Sequence, residues 1–341
     1  MTRKIGLALC LALIGMRLLP LLVQNYTLAT IWRSWQSYTV EDRCAALTPG
    51  AEPPMTFDQR VVVGSMARTE GCLDLAAAVL PEFDADYGRS PLVAYQWGMI
   101  AWAQSDPAQA TLMWRKVPDI EQRLLAQARQ LRENDSGDAL LWYEAAVMSA
   151  NSLAAQADAL AAYTAEARGS IEPTLFRERL ERLAAFFGDD SAPGYRLRGQ
   201  RSFLGGDYQT AVAELRQAIV LGRNDAETWY LLGEALWNAN DLADAEEAYR
   251  QALASPVQIA WRRPWHLDRL SALLVKVERP FEALPFQQEA VSLDSDYYYY
   301  ADNLAVLYRL LGDESQAQAF CQQARQNMSA AQQTALRCEQ P

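Results

Sequence analysis

The sequence predicts an all-α protein, a solenoid of helical hairpins behind an N-terminal transmembrane helix. Three observations lead there. A pattern of small and bulky residues returns at intervals of 34, 38 and 34 residues along the C-terminal part of the 341-residue chain. Within each return, apolar residues recur every three or four positions, the helical period. Residues 5 to 23 form a 19-residue run that is apolar except for Arg17, which meets the lower length for crossing a bilayer.

Residues 1 to 24 are accordingly read as the anchor. Arg3 and Lys4 precede the run, and Tyr26, Trp32, Trp35 and Tyr38 follow it as an interfacial mix, so the basic end stays in the cytoplasm and the rest lies outside. A signal peptide cut after Ala29 and a buried core helix are the alternatives. Arg17 interrupts a signal sequence as badly as it interrupts a membrane span. Residues 25 to 56 read as a juxtamembrane linker. Beyond the anchor, Cys44, Cys72, Cys321 and Cys338 form an even set, which permits disulfides in an exported chain and leaves free buried thiols as the alternative. A Cys321–Cys338 bridge would close a short loop, a contribution of about 3 kcal/mol.

From residue 57 to 190 the hairpin pattern is degraded. Gly64, Gly71 and Ala76 fall in register, then Gly98, Ala110 and Trp114, then Ala159 and Tyr163, while Val147 and Glu166 stand where small residues belong. Residues 119 to 139 and 171 to 191 match no repeat and are expected to add extra helices. From 191 to 341 the pattern is clear. The segments starting at 192, 226, 264 and 298 align Gly199, Gly233, Ser271 and Ala305, then Ala211, Ala245, Ala283 and Ala317, then Ala218, Ala252, Ala290 and Ala324. Their turns are written in stop and start residues: Gly206-Asp207, Asn240-Asp241 and Gly312-Asp313 each put a residue tolerant of left-handed backbone before an Asp that can cap the next helix. Arg279-Pro280 puts a proline in the next first turn instead. Small residues mark where helices approach closely, since larger side chains would force them apart. The sum is four clear and three degraded pairs, with a capping helix from about 329 to Cys338.

Residues Trp229, Leu232, Gly233, Leu236, Ala245, Tyr249 and Ala252 resemble the consensus of the tetratricopeptide repeat family, with Leu236 where that consensus has Tyr. The resemblance is specific over 192 to about 325. It implies that the first helix of each pair lines a concave surface that holds peptides or partner helices. On that face it places Arg196, Gln200, Phe203, Tyr230, Glu234, Trp237, Asp268, Val275, Tyr299, Asp302, Val306 and Arg309, with packing between repeats as the plainer role of the aromatic members. Family members that grip a C-terminal carboxylate use Asn and Lys where this chain has Leu231 and Trp265, so the resemblance does not extend to that mode.

Two runs stand apart from the repeat. Four consecutive tyrosines, Tyr297 to Tyr300, begin a helix, where successive residues point in different directions and cannot form one platform. Trp261, Arg262, Arg263, Trp265 and Arg269 interleave aromatic and cationic groups at the four-residue insertion between repeats. That composition suits anionic glycans, headgroups or acidic protein segments, and suits a solvated connection as well.

The formal charge of -11 argues against nucleic acid as a partner. His266 is the sole histidine, and GxSxG, HExxH, CxxC and phosphate-loop motifs are absent, so neither catalysis nor a metal or cofactor is expected. The sequence therefore reads as a non-enzymatic protein-interaction scaffold, single-pass in a bacterial inner membrane with its solenoid outside, recruiting or organising envelope proteins. A glycan- or polymer-handling module and an accessory subunit of a larger membrane complex are the alternatives.

Overall fold

The structure, a computed structural model, describes residues 39–47, 57–80, 91–133, 139–328 and 336–339. The expected anchor at 1–24 and most of the linker at 25–56 lie outside these residues. Among the described residues there are seventeen α-helices and no strand, and no helix is long and apolar enough to cross a membrane. They fall into two compact units, one ending at Ile120 and the other beginning at Glu121. The weakest repeat, at 139–170, therefore lies in the same unit as the four clear ones.

In the first unit, α1 (Val40–Leu47) precedes two hairpins, α2 (Phe57–Thr69) with α3 (Leu73–Val79) and α4 (Pro91–Ala103) with α5 (Pro107–Trp114). Cys44 and Cys72 are joined by a disulfide that ties α1 to the first turn. Arg60 closes the end of α3 by donating to the carbonyls of Val79 and Leu80, at 2.8 and 3.0 Å. Those are last-turn acceptors that the helix cannot satisfy itself.

The second unit opens one residue into α6 (Ile120–Glu133) and continues with the hairpin α7 (Ala139–Ser149) and α8 (Leu153–Ser170), followed by the single helix α9 (Pro173–Phe187). Four hairpins follow: α10 (Ala192–Leu204) with α11 (Tyr208–Val220), α12 (Ala226–Asn238) with α13 (Leu242–Ala254), α14 (Arg263–Lys276) with α15 (Pro280–Leu293), and α16 (Tyr298–Leu310) with α17 (Glu314–Asn327). Asp207, Asp241 and Asp313 each accept the amide three residues on, the capping bond. Gly312 sits before the last of these at φ +82°, a backbone that side chains rarely adopt. The expected capping helix over 329–338 falls mainly outside the described residues, and Arg337–Glu339 form a 3-10 turn.

One packing rule recurs in both units. A Cβ added to Gly64, Gly98, Gly199 or Gly233 would meet Leu80, Trp114, Leu215 or Tyr249 at 2.5, 2.3, 2.7 and 2.6 Å. In every case the bulky partner lies sixteen residues on, in the second helix of the same hairpin or, for Leu80, at its C-cap. The first helix supplies a gap and the second fills it, so the hairpin closes to backbone distance. Trp114 and Tyr249 are fully buried in those gaps.

The end of the stack is covered by residues 336–339. The amides of Arg337 and Cys338 donate to the Asp302 carboxylate at 3.1 and 2.9 Å, and Cys338 is disulfide-bonded to Cys321 on α17. This segment gives α16 a neighbour where the repeats stop. With a sequence separation of 17, the bridge contributes about 3 kcal/mol by loop entropy. Reduction should cost about that much and should release the segment first. In native-state hydrogen exchange, the amides of Arg337 and Cys338 are expected to lose protection on reduction while those of α12 keep theirs. Unchanged protection would mean that the bonds to Asp302 hold the segment alone.

Candidate functional site

The first helices of the last three repeats, with the 3-10 turn before α14, are linked by a ladder of side-chain bonds between residues 35 apart in sequence. Arg262 donates to Glu227 at 2.9 Å, and Trp265 donates its indole N–H to the Tyr230 hydroxyl at 2.6 Å. Arg269 grips both oxygens of Glu234 at 2.7 and 3.0 Å, and Asn303 donates to Asp268 at 2.7 Å. Glu234 also accepts from the Tyr249 hydroxyl at 2.5 Å, which fixes the aromatic ring that fills the Gly233 gap. The ladder thus joins the packing inside a hairpin to the packing between hairpins.

His266 is buried within the ladder, with Nε2 at 2.7 Å from Glu227 and its ring stacked on Tyr230 at 4.9 Å between centroids. Burial pushes the Glu227 carboxyl up, but His266 and then Arg262 outweigh it and hold the group well below the usual carboxylate range. Asp268 goes the other way. Burial raises it, and the neutral amides of Asn303 and Gln287 only partly offset that. Burial also pulls Arg196 down to about 10, opposed by the charge of Asp225.

The residues expected on a partner-binding face separate into two groups. Arg196, Gln200, Tyr230, Asp268 and Asp302 are buried, so they are not surface positions, and most of them serve the ladder or the C-terminal cover. Phe203, Glu234, Trp237, Val275, Tyr299 and Val306 are half-buried, and Arg309 is exposed while donating to the Cys338 carbonyl at 2.6 Å. Tyr299 stacks on Trp265 at 6.2 Å, and Arg269 lies 4.8 Å over the Trp237 ring. The tyrosine run divides as expected for a helix start, with Tyr300 buried and Tyr297 exposed.

The arginines of the Trp and Arg patch are paired within the fold. Arg262 is paired with Glu227, Arg263 with Glu289 at 2.9 Å and Arg269 with Glu234, so its cations are neutralised within the fold. Trp261 is 52% exposed and donates to Asp158 of α8 at 3.0 Å. These pairings were out of reach of local reading, because the carboxylates lie 26 to 35 residues away in sequence.

Outside this face, α2 and α4 border a shallow hollow of about 280 Å³, lined by apolar groups including Val61, Met66 and Leu92. A polar groove of about 550 Å³ lies between α9 and the α10–α11 turn, where Arg201 pairs with Glu181 at 2.5 Å. Among the described residues, no group of His, Cys, Asp and Glu is arranged to hold a metal ion.

Paired helices with small residues at their closest approach, bridged hairpin to hairpin, define a helical-hairpin repeat fold. Tetratricopeptide repeats are found in it directly: a TPR repeat model matches residues 199–240 and a tetratricopeptide repeat model matches 226–255. No curated protein matches the chain. Among solved structures it is similar to a crystal structure of MamA, at 15% identity over 59% of this chain and 93% of that one, TM-score 0.36. It is also similar to a second MamA crystal structure, at 14% identity over 73% and 98%, TM-score 0.36. A third is the APC/C hetero-tetramer Cut9-Hcn1, at 13% identity over 88% and 71%, TM-score 0.40.

Proposed function

We propose that this protein is a membrane-tethered scaffold whose repeats hold protein partners on the far side of a bacterial inner membrane. The observation that carries the interaction role is the series of tetratricopeptide repeats over 199–255, continued by hairpins of the same construction to 327. The half-buried Phe203, Trp237 and Tyr299 supply aromatic surface of the kind that anchors partners.

Export is supported by two separate features. The apolar run at 5–23 behind Arg3 and Lys4 suits a membrane helix with its basic end in the cytoplasm. The disulfides Cys44–Cys72 and Cys321–Cys338 suit an oxidising compartment. Engagement of Arg262, Arg263 and Arg269 by carboxylates favours a protein partner over an anionic polymer.

The test has two parts. A cysteine placed at exposed Trp261 should react with a membrane-impermeant maleimide in intact cells, and reaction only after lysis would overturn the export reading. Photo-crosslinkers at Trp237 and Tyr299 should trap one and the same protein. If neither position traps anything while the intact chain still co-purifies with a partner, this face is not the interface.

A further inference from the structure

Helix α8 has two working faces. Ala159 and Tyr163 are buried toward its own hairpin, where the Tyr163 hydroxyl donates to Glu144 of α7 at 2.9 Å. The opposite stripe, Ala157, Ala161, Thr164 and Arg168, follows the helical spacing and is turned on the clear repeats. Ala157 and Ala161 pack with Val257 and Ile259, from the connection between α13 and α14. Thr164 accepts from Gln200 on α10 at 3.0 Å, and Asp158 accepts from Trp261. Gln156 accepts from Arg223, in the connection between α11 and α12. A second helix of one hairpin thus packs against α10 and against the connections on either side of the α12–α13 hairpin.

What α8 covers is poorly matched to it. Arg196 and Arg223 are only 4% and 2% exposed. Arg196 donates to the Gln200 amide oxygen at 2.5 Å, and Arg223 donates to that of Gln156, so Arg196 is held by a neutral amide and Arg223 by one beside its ion pair with Asp225. Arg196 Nε, Arg223 Nε and Arg223 Nη2 have no hydrogen-bond partner. Asp225, 3.3 Å from Arg223, is already committed to the amide and hydroxyl of Thr228, and Glu227 is committed to His266 and Arg262. Buried guanidinium groups favour carboxylates, which accept their forked N–H groups as a pair.

We propose that α8 is a built-in occupant of the binding face formed by α10, α12 and their connections, and that a helix carrying carboxylates is the ligand that takes its place. Gln156 and Thr164 stand two helical turns apart on α8. A ligand helix with glutamates at that spacing sets one carboxylate beside Arg223 and one beside Arg196 and Gln200, and uses the N–H groups that α8 leaves idle. The small side chains of the α8 stripe make its docking shallow, so it excludes other helices without sealing the face. The proposal rests on the scaffold reading and specifies how its face is gated.

The test uses the full chain in mild detergent and two synthetic alanine-based helical peptides, one with Glu at positions eight apart and one with Gln there. Ala161→Arg forces a long charged side chain against Val257 and Ile259 and should release α8. The Glu peptide is expected to bind this variant at least tenfold more tightly than wild type, with the Gln peptide at least tenfold weaker. Adding Arg223→Gln should shrink the difference between the peptides, and adding Arg196→Gln as well should abolish it. Bound Glu peptide should also speed hydrogen exchange across residues 153–164 of the wild type. Equal binding to wild type and Ala161→Arg, or equal binding of the two peptides, overturns the proposal. Should Ala161→Arg fail to fold, the double substitution Gln156→Ala with Thr164→Ala only deletes bonds and takes its place. Crosslinking from Tyr299 is scored on the same samples. Lost peptide binding with intact partner capture sinks the gating proposal alone, and intact peptide binding with lost capture sinks the scaffold reading alone.

Discussion

Gly233→Leu is expected to unfold the central repeats at denaturant concentrations where the wild type is intact, at a cost of about 3 kcal/mol or more. The first added carbon alone would lie 2.6 Å from Cδ1 and Cε1 of Tyr249, closer than real Cβ atoms come. The ring cannot step aside. It is fully buried, and its hydroxyl is bonded to Glu234, which Arg269 holds from the next hairpin. A glycine in mid-helix otherwise costs about 1 kcal/mol relative to alanine, so replacing it would be favourable if there were space. Gly169 supplies that comparison, because an added carbon there meets nothing within 4 Å. Gly169→Ala should therefore be neutral or slightly stabilising in a urea titration followed by circular dichroism. Shrinking the partner should rescue the clash: Gly233→Ala combined with Tyr249→Leu is expected to be less damaging than the sum of the two single changes, by about 1 kcal/mol. Additive losses would mean that the ring and the glycine do not determine each other. Because repeats lean on their neighbours, the loss should spread to α10, α11, α14 and α15 before it reaches α16.

That pairing was legible in the sequence because both partners belong to one hairpin. Gly233 and Tyr249 are sixteen residues apart, the helical period fixes which way each points, and the preceding copy of the motif repeats the choice with Gly199 and Leu215. The helix starts were legible for the same reason, since a capping Asp acts on an amide three residues away. The surface was not legible to the same degree. Arg196 and Gln200 are buried, and Gln200, to which Arg196 donates, reaches Thr164 of α8, 36 residues before it. Asp302 is buried because residues 336–338, pinned by the Cys321–Cys338 bridge, turn back onto it. Position within a repeat specifies a face, whereas whether that face is free depends on distant chain that obeys no local period. The arginines of the 261–269 run taught the same lesson with charge. They look unopposed only while Glu227, Glu234 and Glu289 are out of view.

Glu227 is the point where the ladder is most exposed to failure, and Glu227→Ala should cost about 3–5 kcal/mol. The carboxylate is 7% exposed and serves two groups, Arg262 at 2.9 Å and His266 at 2.7 Å. Removing it leaves a guanidinium and an imidazole inside the stack without their shared acceptor, and the Nδ1 of His266 already has no hydrogen-bond partner. Desolvation that was offset by pairing is then uncompensated. Glu227→Gln keeps the shape and one acceptor oxygen, so its loss should be smaller, and it separates charge from packing. The two variants should also differ from wild type in their response to acid. Burial raises the carboxyl, His266 and Arg262 lower it further, and the folded group ends below its ordinary value of about 4.3. A carboxylate depressed on folding adds stability that is fully present above its unfolded value and is lost as the pH falls below it toward the folded one. The wild-type advantage over Glu227→Gln should therefore shrink steadily as the pH falls below about 4.5. Taking the difference between the two proteins removes the contributions of Asp207, Glu246 and Glu282, which are lowered in both by their own partners. An advantage that held constant down to pH 3 would show that the carboxylate gains nothing from Arg262 and His266 beyond its shape.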